Sequence, residues 1–312
     1  MTNSRGKILV IRGGAIGDFI LSLPVFSALR QQFPETHLEV LGYSHISQIA
    51  LAGGLVDEVR SIEARALASF FARNGPLDPG FSMFFESFAV IISYLYDPDG
   101  IFRENIARCS KAQFIVGPHR PDEGENLHAT EVFLKPLERL AIYNRDAIPR
   151  LNLAASSSTQ LPDGNWLALH PGSGSESKNW PEARWATLIH RLVAETELRL
   201  LLVGGEAEGD RLQRLSSTIE PARFQLARHL PLPELAQRLT KCVGFVGHDS
   251  GISHLAAAVG LTSLILWGAT NALIWRPRNA KATILGSPQG LWHLSVEKVL
   301  ERIHELFAKA YS

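Results

Sequence analysis

Short apolar runs alternate with amphipathic stretches along this chain, and the whole series runs twice. In the first series Lys7 to Ile11 reads as a short buried strand. Asp18 to Gln32 is amphipathic, with Phe19, Leu23, Phe26 and Leu29 at helical spacing. Strands are expected at 37–41, 56–62, 89–95 and 114–116, and helices at 64–73 and 129–140. A linker-like stretch, 156–164, rich in Ser, with Thr, Pro and Gly, then interrupts the pattern. The second series has strands at 166–170, 199–203, 224–227, 243–246 and 263–267. Its helices fall at 181–195, opened by Pro181, and at 208–219, 232–239 and 253–259. The segment 295–310 closes the chain as an amphipathic helix with Val296, Val299, Ile303 and Leu306 on one stripe. Alternating strands and helices imply parallel sheets covered on both faces.

A chain of 312 residues is long for one core and natural for two domains. The expected fold is α/β, two Rossmann-like doubly wound domains facing across a cleft, with ligands beyond the carboxyl ends of the strands. The expected bounds are 1–155 and 165–294, with 295–312 a terminal helix packing back on the N-terminal domain.

Composition excludes several classes. Hydrophobic residues make up 46% and charged residues 20%, a globular balance rather than a disordered one. Lys plus Arg equals Asp plus Glu, 31 against 31, which gives nucleic-acid binding no support. Cys109 and Cys242 form no CxxC pair and suggest a reducing cytoplasm. The N-terminus is neither a signal peptide nor a spanning helix, and no stretch reaches about 18 uninterrupted apolar residues. Contact with a membrane surface stays open.

Four loops at expected strand ends could carry chemistry. Arg12-Gly-Gly-Ala-Ile-Gly-Asp18 lacks the GxGxxG spacing, which disfavours a dinucleotide dehydrogenase. Asp18 reads either as a helix-start carboxylate or as a general base for an attacking hydroxyl. His170-Pro-Gly-Ser-Gly-Ser-Glu-Ser-Lys-Asn-Trp-Pro181 supplies hydroxyls, backbone donors and Lys178, a set suited to pyrophosphate. Gly204-Gly-Glu-Ala-Glu208 offers Glu206 to a ribose hydroxyl or a base edge, or as a helix N-terminal carboxylate. Gly247-His-Asp-Ser-Gly-Ile-Ser-His254 leads from a strand into an Ala-rich helix, whose first N–H groups suit an anion. His248, Asp249 and His254 stand too close in sequence for a metal set, so no metal is expected. Ser250 does not sit in a GxSxG elbow.

These loops, in this order, resemble glycosyltransferase family 9, the ADP-heptose:lipopolysaccharide heptosyltransferases. The pieces that carry the resemblance are Ile8 to Asp18 with Leu23-Pro24, His170 to Ser173 with Lys178 and Trp180-Pro181, Gly204-Gly205 with Glu206, and Asp249 to Ala258. The resemblance implies a GT-B fold with acceptor on the N-terminal half and nucleotide sugar on the C-terminal half. It implies an inverting, metal-independent transfer with no cofactor. Asp18 would be the catalytic base. Ser173, Lys178, Glu206, Asp249, Ser250, Gly251 and His254 would bind the donor, ADP-heptose. Gly14, Asp97, Arg103 and Arg120 would serve a glycolipid or oligosaccharide acceptor. The chain departs from the family at Tyr96-Asp-Pro-Asp-Gly-Ile-Phe-Arg103, where Pro98 alters the turn and a serine is missing, and at Gly268-Ala-Thr270. Two other readings stand beside transfer: an epimerase or hydrolase on the same scaffold, and a nucleotide-sugar-binding protein without catalysis.

Overall fold

The computed structural model describes residues 6–154, 161–205, 208, 210–287 and 289–308. The chain divides into two compact units, 1–147 and 148–312. That division comes ahead of the expected linker, whose 156–160 part lies outside the described residues. Residues 148–154 go with the second unit, where the Leu151 N–H donates to the Ala258 carbonyl at 2.9 Å.

The first unit has strands β1 (Lys7–Arg12), β2 (Leu38–Gly42), β3 (Glu58–Ser61), β4 (Phe88–Ser93) and β5 (Gln113–Val116). They pair in parallel in the order β3-β2-β1-β4-β5. Ile8, Leu9, Val10 and Ile11 are all buried, as a central strand covered on both faces requires. The chain lays down β1 to β3 in one direction and returns to β4 on the other side of β1. Loops leaving β1 and β4 therefore part, and a crevice opens at their carboxyl ends.

The helices between these strands are α1 (Ile16–Leu21), α2 (Leu23–Gln32), α3 (Ser44–Ala52), α4 (Pro79–Glu86), α5 (Ile101–Ala107) and α6 (Ala129–Leu134). The helix expected over 18–32 is broken at Ser22, because Pro24 has no N–H and its ring crowds the preceding turn. The helix expected over 64–73 is a 3-10 turn, Arg65–Phe71, and the one expected over 129–140 is α6 followed by a 3-10 turn, Lys135–Leu140, opened by Pro136.

The second unit has β6 (Trp166–His170), β7 (Arg199–Gly204), β8 (Phe224–Arg228), β9 (Gly244–His248), β10 (Ser263–Trp267) and β11 (Ala282–Gly286). Their order is β11-β10-β9-β6-β7-β8, all parallel, so the reversal lies between β6 and β9. Its helices are α7 (Glu182–Glu195), α8 (Arg211–Ser216), α9 (Leu232–Leu239), α10 (Gly251–Ala258), α11 (Ala272–Trp275) and α12 (Val296–Phe307).

The terminal helix corrects an expectation. Instead of returning to the N-terminal domain, α12 buries Val296, Val299, Leu300, Ile303 and Phe307 in the second unit's core. They pack there with Trp185, Leu188, Ile189 and Leu192 of α7. Gly244 at the start of β9 makes room for the Phe307 ring, which a Cβ at that position would strike. Among the described residues no helix is long and apolar enough to cross a membrane.

Candidate active site

The loop after β1 presents Asp18 as the third residue of α1, in its first turn, where it bonds the backbone of the N-cap residue Ala15. Its carboxylate accepts the Ala15 N–H at 3.2 Å and remains 30% exposed. Gly14 has φ +97°, and a Cβ there would stand 3.1 Å from Asp18 Oδ2. A side chain at this position would be strained and would press on the carboxylate.

Arg12, the last residue of β1, is buried beneath this loop. One guanidinium nitrogen donates to the Asp18 carbonyl at 3.1 Å and another to the His119 carbonyl at 2.9 Å. The guanidinium lies 4.0 Å from Asp18 Oδ1 and faces the Phe133 ring at 4.3 Å from its centroid. Burial lowers its pKa from the ordinary value and the Asp18 charge opposes that, so Arg12 is a fixed cation beside the carboxylate. The sequence marks it only as a charged residue ending an apolar strand.

On the acceptor-assigned side Asp97 serves the backbone. Its Oδ1 accepts the Phe102 N–H at 3.1 Å and its Oδ2 the Arg103 N–H at 3.0 Å, capping α5. Arg103 is exposed and lines a cleft of about 480 Å³ with Tyr96, Asp99, Glu104, Val116 and His119. Arg120 does not line it; Arg120 pairs with Glu123 at 3.1 Å, both largely exposed.

In the second unit β9 runs on to His248, so only Asp249 and Ser250 separate the strand from α10. The helix therefore begins two residues before its expected start. Ser250 caps it, accepting the Ser253 N–H at 3.4 Å, and Ser253 Oγ donates to the His248 carbonyl. The first N–H groups of α10, from Gly251 and Ile252, lie at the strand-order reversal. Lys178 arrives there from the loop after β6, its Nζ donating to Asp249 Oδ2 at 2.8 Å. Lys178 is 40% exposed and Asp249 9%. Ser173 is buried and turned into its own loop, donating to the Ser175 carbonyl at 2.8 Å and accepting the Ser175 N–H at 3.2 Å. His254 is buried within α10. Glu206 lies outside the described residues.

Two buried groups hold this loop pair in place. His248 Nε2 accepts the Trp180 N–H at 2.8 Å and the Trp185 indole N–H at 3.4 Å, and Nδ1 stands 3.1 Å from the Gly172 carbonyl. Two donors on Nε2 assign the neutral ring with its proton on Nδ1, donated to Gly172. Burial pushes its pKa down to about 3. Both ring nitrogens are thus engaged by protein. Glu208 is the second clamp. Desolvation pushes its pKa up, but hydrogen bonds from His170 and the Gly205 N–H prevail and bring it down to about 2. A Cβ on Gly172 would collide with Glu208 Oε1. Arg211 adds a bidentate pair to Glu176 at 2.8 and 2.9 Å. In the first unit His37, Glu39 and Glu58 could also converge on a cation, but they lie at the amino ends of β2 and β3, at the opposite end of that sheet from the Asp18 loop, and Arg60 already pairs with both carboxylates.

The glycosyltransferase family 9 (heptosyltransferase) model matches residues 141–304, over half of the chain. A Haemophilus influenzae protein, described provisionally as a glycosyltransferase, is 23% identical over 305 residues, covering 88% of this chain and 86% of its own. Lipopolysaccharide heptosyltransferase 3 of Escherichia coli is 23% identical over 293 residues, covering 84% and 83%. The solved E. coli ADP-heptose lps heptosyltransferase II matches with a TM-score of 0.79 at 17% identity, covering 98% of this chain and 100% of that one. That likeness gives the GT-B fold, in keeping with two parallel α/β sheets. The family match takes in the Lys178–Asp249 pair and the cap of α10, so the chain belongs to glycosyltransferase family 9, the heptosyltransferase family, and is a glycosyltransferase.

Proposed function

We propose that this glycosyltransferase moves a heptose, or a closely related sugar, from an ADP-sugar to a hydroxyl of a lipopolysaccharide core or similar glycan, with inversion. One observation carries the reading. Lys178 and Asp249, 71 residues apart, meet at 2.8 Å where the second sheet reverses strand order, beside the N-terminus of α10.

A diphosphate in this crevice gains an ammonium from Lys178 and N–H donors from Gly251 and Ile252, with the Ser250 hydroxyl alongside. Asp249 keeps Lys178 placed and offers its second oxygen to a donor hydroxyl. His254 supports this loop from inside α10. Ser173 gives its proton to a phosphate only by releasing the Ser175 carbonyl. Glu206 is assigned to the donor's ribose. On the first unit Asp18 takes the proton of the acceptor hydroxyl. The freed oxygen attacks the anomeric carbon, the bond to the diphosphate breaks, and its electron pair leaves on ADP. In-line attack inverts the carbon. Gly14 serves by leaving Asp18 its space, and Asp97, Arg103 and Arg120 are assigned to the acceptor. An acceptor anchored in lipid places the reaction at the cytoplasmic face of the inner membrane, with the protein peripheral to it.

The test is ADP release from ADP-heptose with and without a core-oligosaccharide acceptor. Acceptor-dependent release supports the reading. Equal release from donor alone would mean hydrolysis, and donor binding without transfer to any acceptor would mean a binding protein.

A further inference from the structure

The first unit's cleft lies beyond the carboxyl ends of β4 and β5 and encloses about 480 Å³, within the ~300–1,000 Å³ of small-molecule sites. Its wall is unusual in two respects. Tyr96 is 69% exposed and its ring stands 4.7 Å from the His119 ring, with Val116, 60% exposed, lining the same cleft. The two rings are inclined at 57°, so the apolar plate is the Tyr96 face, with the His119 ring and Val116 beside it and polar edges left in water. The ionised side chains are Asp97, Asp99 and Glu104 against the single guanidinium of Arg103. Asp97 spends one lone pair of each oxygen on α5, and Asp99 is met by Arg73 at 3.4 Å, both largely exposed. Neither the Arg103 guanidinium nor the Glu104 carboxylate has a hydrogen-bond or ion-pair partner among the described residues.

We propose that this cleft receives an uncharged sugar unit of the acceptor, stacked on Tyr96 beside His119 and hydrogen-bonded through its hydroxyls to Asp99, Glu104 and Arg103. This rests on the reading of the first unit as the acceptor side. A sugar ring has an apolar C–H face, which suits the plate. Its rim of hydroxyls can donate to carboxylates and accept from a guanidinium. An acidic or phosphorylated sugar would bring its charge among three carboxylates, Asp97, Asp99 and Glu104, against the guanidiniums of Arg103 and of Arg73 on Asp99. The cleft also connects to the base. Arg12, which holds the Asp18 carbonyl, holds the carbonyl of His119 on the cleft wall.

The experiment is direct binding to the full chain without donor, read by saturation-transfer NMR and calorimetry. The probes are methyl glucoside, galactoside and mannoside, each beside its uronic acid. The expected result is binding of at least one neutral glycoside, weaker binding of its uronic acid, and a loss of about five- to tenfold in Tyr96→Ala. The double variant Asp99→Asn/Glu104→Gln should narrow the gap between neutral and acidic probes. The proposal is overturned if no neutral glycoside binds, if the uronic acids bind as well or better, or if Tyr96→Ala binds unchanged. Because no turnover is read, neutral binding without sugar transfer would refute the transfer reading alone. Transfer onto acidic units in preference to neutral ones would refute this one alone.

Discussion

Asp18 and Arg12 act as one residue-scale unit. The guanidinium is buried, bridges two carbonyls, and fixes both the carboxylate's loop and the start of the segment after β5. Asp18→Asn keeps shape and removes the proposed base, so turnover should fall about 10²–10⁴-fold while ADP-sugar affinity stays within about twofold. Loss of donor binding in that variant, measured by calorimetry, would contradict the assignment. Arg12→Lys keeps the charge but cannot span both carbonyls. It should lower kcat about tenfold with donor affinity unchanged, because a displaced base costs rate rather than ADP binding. Gly14→Ala should do the same and destabilise by about 1 kcal/mol, because alanine is strained at φ +97°.

At the scale of elements, the proposed donor crevice is a strand end, a loop and a helix start held by His248. The loop 171–180 has little regular structure of its own, a single 3-10 turn, Glu176–Lys178. Its geometry comes from particular partners: the buried Trp180 on the buried His248, Ser173 on Ser175, and Arg211 on the exposed Glu176. His248→Phe would leave the buried Trp180 N–H without an acceptor, at about 1–3 kcal/mol. The expected readout is faster hydrogen exchange across 172–180 and a weaker ADP-sugar, while β7 and β8 keep their protection. Unchanged exchange in the loop would show that something other than His248 holds it. The reach of sequence reasoning is clearest here. The strand and helix flanking each loop were legible, since apolar runs and amphipathic periods are local. Helices of one or two turns, such as α5 and α11, carry too few residues for a period and were not expected.

At the scale of the whole molecule, two parallel sheets each reverse strand order once, and Gly14 and Asp18 in one, Lys178, Asp249 and Ser250 in the other, lie at carboxyl ends beside those reversals. Acid should act first on the second unit. His248 sits near 3 in the fold against an ordinary 6.5, so the unfolded ring takes up a proton that the folded ring refuses. Its contribution is whole above about pH 6.5 and is lost as pH falls from there toward 3. Glu208, near 2 in the fold against 4.5, adds a further loss from about pH 4.5 down to 2. Urea unfolding at about pH 7.5, 6 and 5 should show falling stability, with a slope of up to ~1.4 kcal/mol per pH unit from the histidine. His248→Gln should be less stable at about pH 7.5 yet flatter between 6 and 5; an unchanged slope would remove His248 as the cause.

By itself the sequence determined the fold class and the restart of the pattern in a second half, and it marked the strand-end loops as candidates for chemistry. Each of these depends on residues within about one element of each other: apolar periods, glycine turns, polar groups at a helix start. Tertiary structure alone decided which loops meet. Lys178 reaches Asp249 because β9 returns beside β6, a pairing set by crossovers that no local pattern records. It also decided that Asp97 caps α5, that Ser173 is bonded into its own loop, and that α12 belongs to the second core. Arg12, His248 and Glu208 read in the chain as ordinary polar residues at strand ends or in a loop. They became positioning groups only when burial removed water and left particular carbonyls, N–H groups and a histidine as their partners.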